Sequence, residues 1–446
     1  MNVDTPCAAR VASNSVKACA HLNGFSHQHR NLLYSRFFRR TDVVSLLVAM
    51  SRSFLPRLVH NVGRRLESMG VIRLPLEPRE IMEEAKRRTG LTDFGGMEFL
   101  EPLNRLVTSC RDEANLNVLG RMAARREMIQ LLENRLLITE ERRINPAIAK
   151  TRIERPLFIL GLPRSGTTFL HSLLAQDPAS RAPLTWEVMF PSNQTGSRRR
   201  RIARARRNLD IFAKLSPGFE AIHQMDALLP QECIAMMSHA FLSDEFDNMF
   251  NIPSYTSWLQ TQSFAPAYDW HRRFLQHLQK GVNERWVLKA PAHLASFLSL
   301  LDTYPDACFI QTHRAPVEVM RSLTNMTSVL QSTFSDTPMP EPTEPELVRY
   351  WADTLNKFNR DRELLDPGRI CDVQFTEIRQ DPIAVVCKIY AHFGKTLSFR
   401  AKQRMQDFSD RNRRKKPTSK SDLILSAPFH SADDRFFAEY SERYRV

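Results

Sequence analysis

Arg164, Ser165, Gly166, Thr167 and Thr168 follow one another in "FILGLPRSGTTFLHSLL", and Gly161 lies just ahead of them. A guanidinium fork, three hydroxyls and two glycines within one turn are the parts of an anion cradle. The apolar run at 157–160 reads as a buried strand ended by Gly161, and Phe169, Leu170, Leu173 and Leu174 continue at helical spacing. A strand, a tight turn and a helix in that order aim the helix's unpaired first N–H groups and positive dipole end at the turn, which suits a phosphate. ATP-binding loops with this glycine spacing place a lysine after the second glycine to reach the outer phosphates, and a hydroxyl residue beside it to hold magnesium. Thr167 stands in the lysine's place here. The cradle fits one phosphate group with one charged arm, and is poorly equipped for a triphosphate and its metal.

A second segment, "ACFIQTHRAPVEVMRSL", repeats the logic. Its strand runs into His313 and Arg314, and Ser322 lies about two helical turns further on, so Arg314 and Ser322 could hold another phosphate. The bland alternative is a surface ion pair and a helix cap.

The elements that must position these residues form an alternating series. From 155 onward, strand-like "RWVLKAP", "ACFIQTHR" and "ICDVQF" alternate with helix-like segments such as "HLASFLSLLDTYP". The expected fold class is α/β, a P-loop-like parallel sheet flanked by helices. Ligands of such sheets sit beyond the carboxyl ends of the strands, which puts the first loop, Lys289 and Arg314 on one rim. Ahead of the sheet, 41–150 reads as a helical N-terminal region; "EPREIMEEAKRRTG" opens with proline and stops at Gly90. Residues 1–40 read as a flexible start with neither a secretory nor a strong transit signal. The stretch 331–345, rich in Pro, Ser and Thr, reads as a lid-like loop.

With 446 residues, 42% hydrophobic and 25% charged, the chain is long enough for a sizeable core and ordinary for a globular protein. No apolar run approaches the roughly 20 residues that span a bilayer. Seven scattered cysteines without a C-x-x-C pair argue for a reducing, cytoplasmic setting and against a zinc site or disulfide frame. The net charge of +14 is concentrated in two runs. One holds Arg198, Arg199, Arg200, Arg201, Arg204, Arg206 and Arg207; the other holds Arg411, Arg413, Arg414, Lys415 and Lys416. The first run reads as a solvated helix face or a peripheral membrane contact, and no nucleic-acid partner is expected. Between 241 and 270, Phe241, Phe246, Phe250, Tyr255, Trp258, Phe264, Tyr268 and Trp270 give a density about three times the 9% aromatic content of the chain. An apolar acceptor pocket and plain core packing explain them equally.

Taken together, "PLFILGLPRSGTTFLHSLLAQDP", "TWEVMFP", "HQMDALLPQEC" and "RWVLKAPAHLASFLSLLDTYPDACFIQTHRAPVEVMRSL" resemble the sulfotransferases that use 3′-phosphoadenosine 5′-phosphosulfate (PAPS). The likeness is to the large, mostly bacterial branch related to tyrosylprotein sulfotransferases. It implies a sulfotransferase domain over 151–446 that moves a sulfuryl group to a hydroxyl or amine without a metal. By the resemblance, Arg164, Ser165, Gly166, Thr167 and Thr168 hold the 5′-phosphosulfate, and Arg314 and Ser322 the ribose 3′-phosphate. Arg413 to Lys416 match a basic patch over the cofactor, without the glycine often found in it. Lys289 matches a lysine that reaches the bridging oxygen; its alternative is a structural ion pair. Glu187 matches the glutamate that acts as base in the tyrosylprotein branch; a salt bridge to a nearby arginine is its alternative. His223 rivals it because histidine works near neutral pH without a large shift, and His293 comes third. The acceptor is a small molecule, lipid or glycan. Two other readings stay open: a metal-dependent kinase with a degenerate loop, and a nucleic-acid- or membrane-binding protein on an inactive fold.

Overall fold

The computed structural model describes residues 74–216, 224–279, 284–336, 344–414 and 435–446, with a few single positions besides. The flexible start expected at 1–40, most of 41–73, His223, Lys415 and Lys416 lie outside the described residues.

Three helices lead into the sheet: α1 (Pro78–Thr89), α2 (Leu100–Asp112) and α3 (Val118–Ile144). Their ends follow local chemistry. Pro78 takes the first turn, where a missing N–H costs nothing. Gly90 closes α1 in the left-handed conformation and donates to the Lys86 carbonyl at 2.7 Å. Asn117 caps α3 by accepting from the Gly120 N–H at 2.8 Å.

Five strands make one parallel sheet in the order β2-β3-β1-β4-β5. They are β1 (Leu157–Gly161), β2 (Ser180–Arg181), β3 (Arg285–Lys289), β4 (Cys308–His313) and β5 (Ile370–Gln374). Side chains alternate between two cores. Phe158, Leu160, Leu288 and Phe309 join the core shared with α2 and α3. Leu157, Ile159, Val287, Ile310 and Val373 face the other side. There they meet α4 (Thr167–Leu174) and the later helix Pro382–His392. Burial on both faces explains why these strands read as unbroken apolar runs. The register sets Ile159 beside Lys289, Gly161 beside Thr312 and His313 beside Gln374. The strand ends that carry the candidate residues therefore share one rim.

Between β2 and β3 run α5 (Thr185–Met189), α6 (Arg198–Leu215), α7 (Cys233–Met237), α8 (Glu245–Met249), α9 (Pro253–Leu259) and α10 (Ala265–Leu278). After β3 come α11 (Phe297–Thr303), α12 (Pro316–Phe334), α13 (Glu344–Asp361), α14 (Phe375–Gln380), α15 (Pro382–His392), α16 (Phe399–Arg414) and α17 (Ala438–Tyr444).

β1 ends at Gly161, as the sequence predicts. One expectation needs correction. The lid-like stretch is not all loop: 331–334 completes α12, and α13 begins at Glu344. The helix continues because Gln331 donates to the Asp247 carbonyl at 2.8 Å and Phe334 is buried; residues 337–343 lie outside the described residues. For the aromatic segment, where two readings were open, the structure shows core packing. Phe241, Phe246, Phe250, Tyr255, Tyr268 and Trp270 are buried, with Phe241 stacked on Phe246 at 6.1 Å and Phe250 against Phe334 at 5.8 Å.

Candidate active site

The loop between β1 and α4 is tight because its backbone is. Gly161, Arg164 and Gly166 all have positive φ, at 138°, 63° and 88°. A Cβ on Gly161 would collide with the Thr312 hydroxyl, so only glycine lets the loop sit this close to β4. Ser165 is fully buried; its hydroxyl donates to the Leu162 carbonyl at 2.5 Å and lies 2.7 Å from Thr312 Oγ1. It fastens the loop to the sheet, so its side chain is not directed at a ligand as its polarity suggested. No side chain caps α4, which leaves the orphan N–H groups of its first turn facing the loop.

The structure brings the two candidate anion sites together. Arg164 Nε donates to Ser322 Oγ at 3.0 Å, and Arg314 Nη1 donates to the Arg164 carbonyl at 2.7 Å. Burial, followed by the charge of Arg314, draws the Arg164 pKa down from its ordinary value. Two guanidiniums this close are the electrostatic complement of an anion. Arg314 is steadied by Glu318 at 2.9 Å and lies over the Phe375 ring at 4.4 Å. Behind it, His313 shares hydrogen bonds with Tyr440 Oη at 2.8 Å and Asp372 at 2.9 Å. The Tyr444 ring stacks on His313 at 3.9 Å, and Arg362 bonds both Asp372 oxygens. The late helix α17 thus clamps the end of β4.

Lys289 joins the loop to the opposite wall. It is 2% exposed, its Nζ donates to Thr168 Oγ1 at 3.1 Å, and it pairs with the Glu232 carboxylate. Glu232, in "PQEC", carries no sequence signal of its own. The only signal was its place in a segment noted for other reasons, because its partner lies 57 residues away. Glu187, on α5, accepts from Arg181 Nη2 at 2.8 Å and from the Leu184 N–H at 3.0 Å. The salt bridge offered as its structural alternative is therefore present. Backbone pairing ties the two carboxylate-bearing segments together: Trp186 N–H donates to the Ala227 carbonyl, and Gln231 N–H to the Pro183 carbonyl. His293 is fully buried and its Nδ1 lies 2.7 Å from Tyr268 Oη, so it faces the core. Of the C-terminal basic run, Arg413 donates to the Gln380 carbonyl at 3.1 Å.

The first basic run is not uniformly solvated. Arg201 points inward, donating to the carbonyls of Phe190 and Pro191 at 3.1 Å and covering the Trp186 ring at 4.8 Å. Arg204 lies over Phe190 at 4.2 Å. Through these contacts α6 braces α5, the helix that carries Glu187.

Among the described residues no group of three or more His, Cys, Asp or Glu is arranged to hold a metal ion, and no helix is long and apolar enough to cross a membrane.

Comparison with known proteins agrees with this arrangement. A model of the sulfotransferase family matches residues 156–398. The omega-hydroxy-beta-dihydromenaquinone-9 sulfotransferases Stf3 of Mycobacterium bovis and Mycobacterium tuberculosis are each 28% identical over 265 residues. Those alignments cover 55% of this chain and 65% of each relative. The crystal structure of sulfotransferase STF1 from Mycobacterium tuberculosis is 31% identical, with a TM-score of 0.67 over 74% of this chain and 92% of that one. Sulfotransferase STF9 from Mycobacterium avium, 24% identical, shares the fold with a TM-score of 0.71 over 82% and 96% of the two chains.

Proposed function

Since the chain belongs to the sulfotransferase family, we propose that it transfers a sulfuryl group from PAPS to a hydroxyl or amine of a small, lipid-like acceptor, in line and without a metal. The observation that carries this reading is the contiguity of Arg314, Ser322 and Arg164 with an uncapped helix N-terminus. That donor set fits a ligand with two separated phosphates and no bound cation.

In this reading the N–H groups at the start of α4, with Arg164, Thr167 and Thr168, grip the 5′-phosphosulfate, while Arg314 and Ser322 take the 3′-phosphate. Gly166 lets the backbone come close. Lys289 neutralises charge growing on the leaving oxygen, a preorganised cation inside a protected site. The acceptor proton needs a carboxylate within hydrogen-bond reach. Resemblance to the tyrosylprotein branch supports Glu187 in this role. Glu232 is a second candidate because it pairs with Lys289, the residue assigned above to the leaving oxygen. The menaquinone derivative in the names of the related Stf3 proteins supports a lipid-like acceptor. The enzyme works in the cytoplasm, at or near a membrane.

Calorimetry with adenosine 3′,5′-bisphosphate, against ADP with magnesium, tests the donor site. The bisphosphate should bind without metal, and Arg314→Ala should weaken it by about 10- to 100-fold, the worth of a charge-assisted hydrogen bond. Preference for ADP with magnesium, or no binding of either, overturns the reading.

A further inference from the structure

Helix α6 breaks a rule of helix electrostatics. Its first turn is Arg198, Arg199, Arg200 and Arg201, with no acid, at the end where the macrodipole is already positive. Arg201 is consumed by the carbonyls of Phe190 and Pro191. The others are exposed, as are Arg206 and Arg207 two turns later. Asp210 is the one acid on the helix, and Arg206 reaches Asp226 only at 3.9 Å. Arg199, Arg200 and Arg207 pair with no carboxylate among the described residues.

The charge is also gathered from other helices. Arg126 of α3 bonds Asn208 of α6 at 3.0 Å, bringing it beside Arg204 and Arg207. Arg88 of α1 stands by, bonded to Glu133 at 3.0 Å. Burial first, then the neighbouring arginines, draws the Arg126 pKa downward. A local rule broken without compensation among the described residues marks a functional surface, and an excess of positive charge of this kind suits an anionic partner.

We propose that this arginine face of α6, flanked by Arg126 and Arg88, docks the protein on an anionic phospholipid surface. Charge complementarity favours a polyanion, and two exposed apolar side chains select lipid over nucleic acid. Met122 is 38% exposed one turn from Arg126, and Leu228 is 43% exposed beside the segment that answers Arg206. A bilayer interface accepts such side chains, whereas a phosphate backbone offers them nothing. The apolar stripe of α6 is spent on Trp186, Phe190 and Ala227, so the helix lies on the surface by charge and does not insert.

The placement has a consequence that rests on the functional reading above. The inner face of α6 braces α5 and the 227–231 segment, the two elements that carry Glu187 and lead to Glu232. Docking by α6 therefore holds the acceptor side of the site to the surface in which a lipid hydroxyl resides.

Co-flotation of the full-length protein with phosphatidylcholine vesicles, with and without phosphatidylglycerol, tests the proposal. The protein should float only with the anionic vesicles, and duplex DNA at equal phosphate should compete poorly. Arg199→Gln/Arg200→Gln/Arg207→Gln should lower partitioning by about 100-fold, roughly fivefold per arginine. Bisphosphate affinity should not change, because none of the three belongs to the donor site. Equal flotation with neutral vesicles, full flotation of the triple variant, or displacement by DNA overturns the proposal. Anionic flotation lost in the triple variant, without bisphosphate binding by the wild type, keeps the docking face and removes the donor site.

Discussion

Around the phosphate loop, polar groups are fixed by backbone. Three positive φ angles and a register that sets Gly161 beside Thr312 leave the loop little freedom, and Arg314 grips a main-chain carbonyl. Around Glu187 and Glu232 they are fixed by side chains and strand-like pairing, with an arginine helix bracing the segment that carries Glu187. Lys289 stands between, touching Thr168 on one side and Glu232 on the other. In the function proposed above, a rigid cradle suits a donor that is always the same molecule, and an edge held by side chains can be recut for a different acceptor without moving the donor.

That contrast can be broken by experiment, and the two carboxylates give the largest expected effect. Replacing the true base with its amide should cost about 10²- to 10⁴-fold in sulfuryl transfer and erase the acidic limb of the pH–rate profile. Glu232→Gln and Glu187→Gln, assayed in parallel with a lipid alcohol, assign the role. Loss in neither variant would separate base catalysis from this side altogether.

Next in size is the aromatic core. Phe246 is fully buried, stacked on Phe241 and edge-on to Tyr255. Phe246→Ala should lower stability by about 3–5 kcal/mol by denaturant titration. Bisphosphate affinity of the folded variant should be unchanged. A parallel fall in affinity would show that the two sides are one cooperative unit.

The smallest effect comes from His171 on α4, fully buried, with Nε2 3.0 Å from the Val287 carbonyl. Burial, then Lys289, pushes its pKa down to about 4 from 6.5. A depressed histidine binds fewer protons folded than unfolded, so stability falls as pH drops from about 6.5 toward 4. The loss is on the order of 3 kcal/mol for this group, at about 1.4 kcal/mol per unit. His171→Gln should flatten that part of the stability–pH curve; an unchanged slope would mean that the ring is not held neutral.

The cradle side was legible in the sequence because its signals are local. A parallel strand buried on both faces announces itself as an apolar run, and its glycines stand where φ must turn positive. Glu232 was not legible, since nothing in "PQEC" shows a lysine 57 residues away folding onto it. Arg164 and Ser322, 158 residues apart, were each recognised but not as neighbours. The edge strand β2 has two residues and no periodicity to read. Aromatic density announced an apolar interior without saying whether a ligand or a protein fills it. Ser-Thr richness misdirected at 331–334, where tertiary hydrogen bonds outweigh weak propensity.

The clamp on β4 also orders events in time. His313 and Tyr440 are 127 residues apart, so the ribosome delivers the arginine rim long before the tyrosines that hold it. The centre of the sheet, β3-β1-β4, can assemble from earlier chain, while its last strand and its latch wait. In the function proposed above, a nascent or misassembled molecule then carries the candidate donor residues yet lacks the posture to use them. Nucleotide capture would be a mark of maturity: a preparation that bound the bisphosphate would have finished folding from end to end of the sheet.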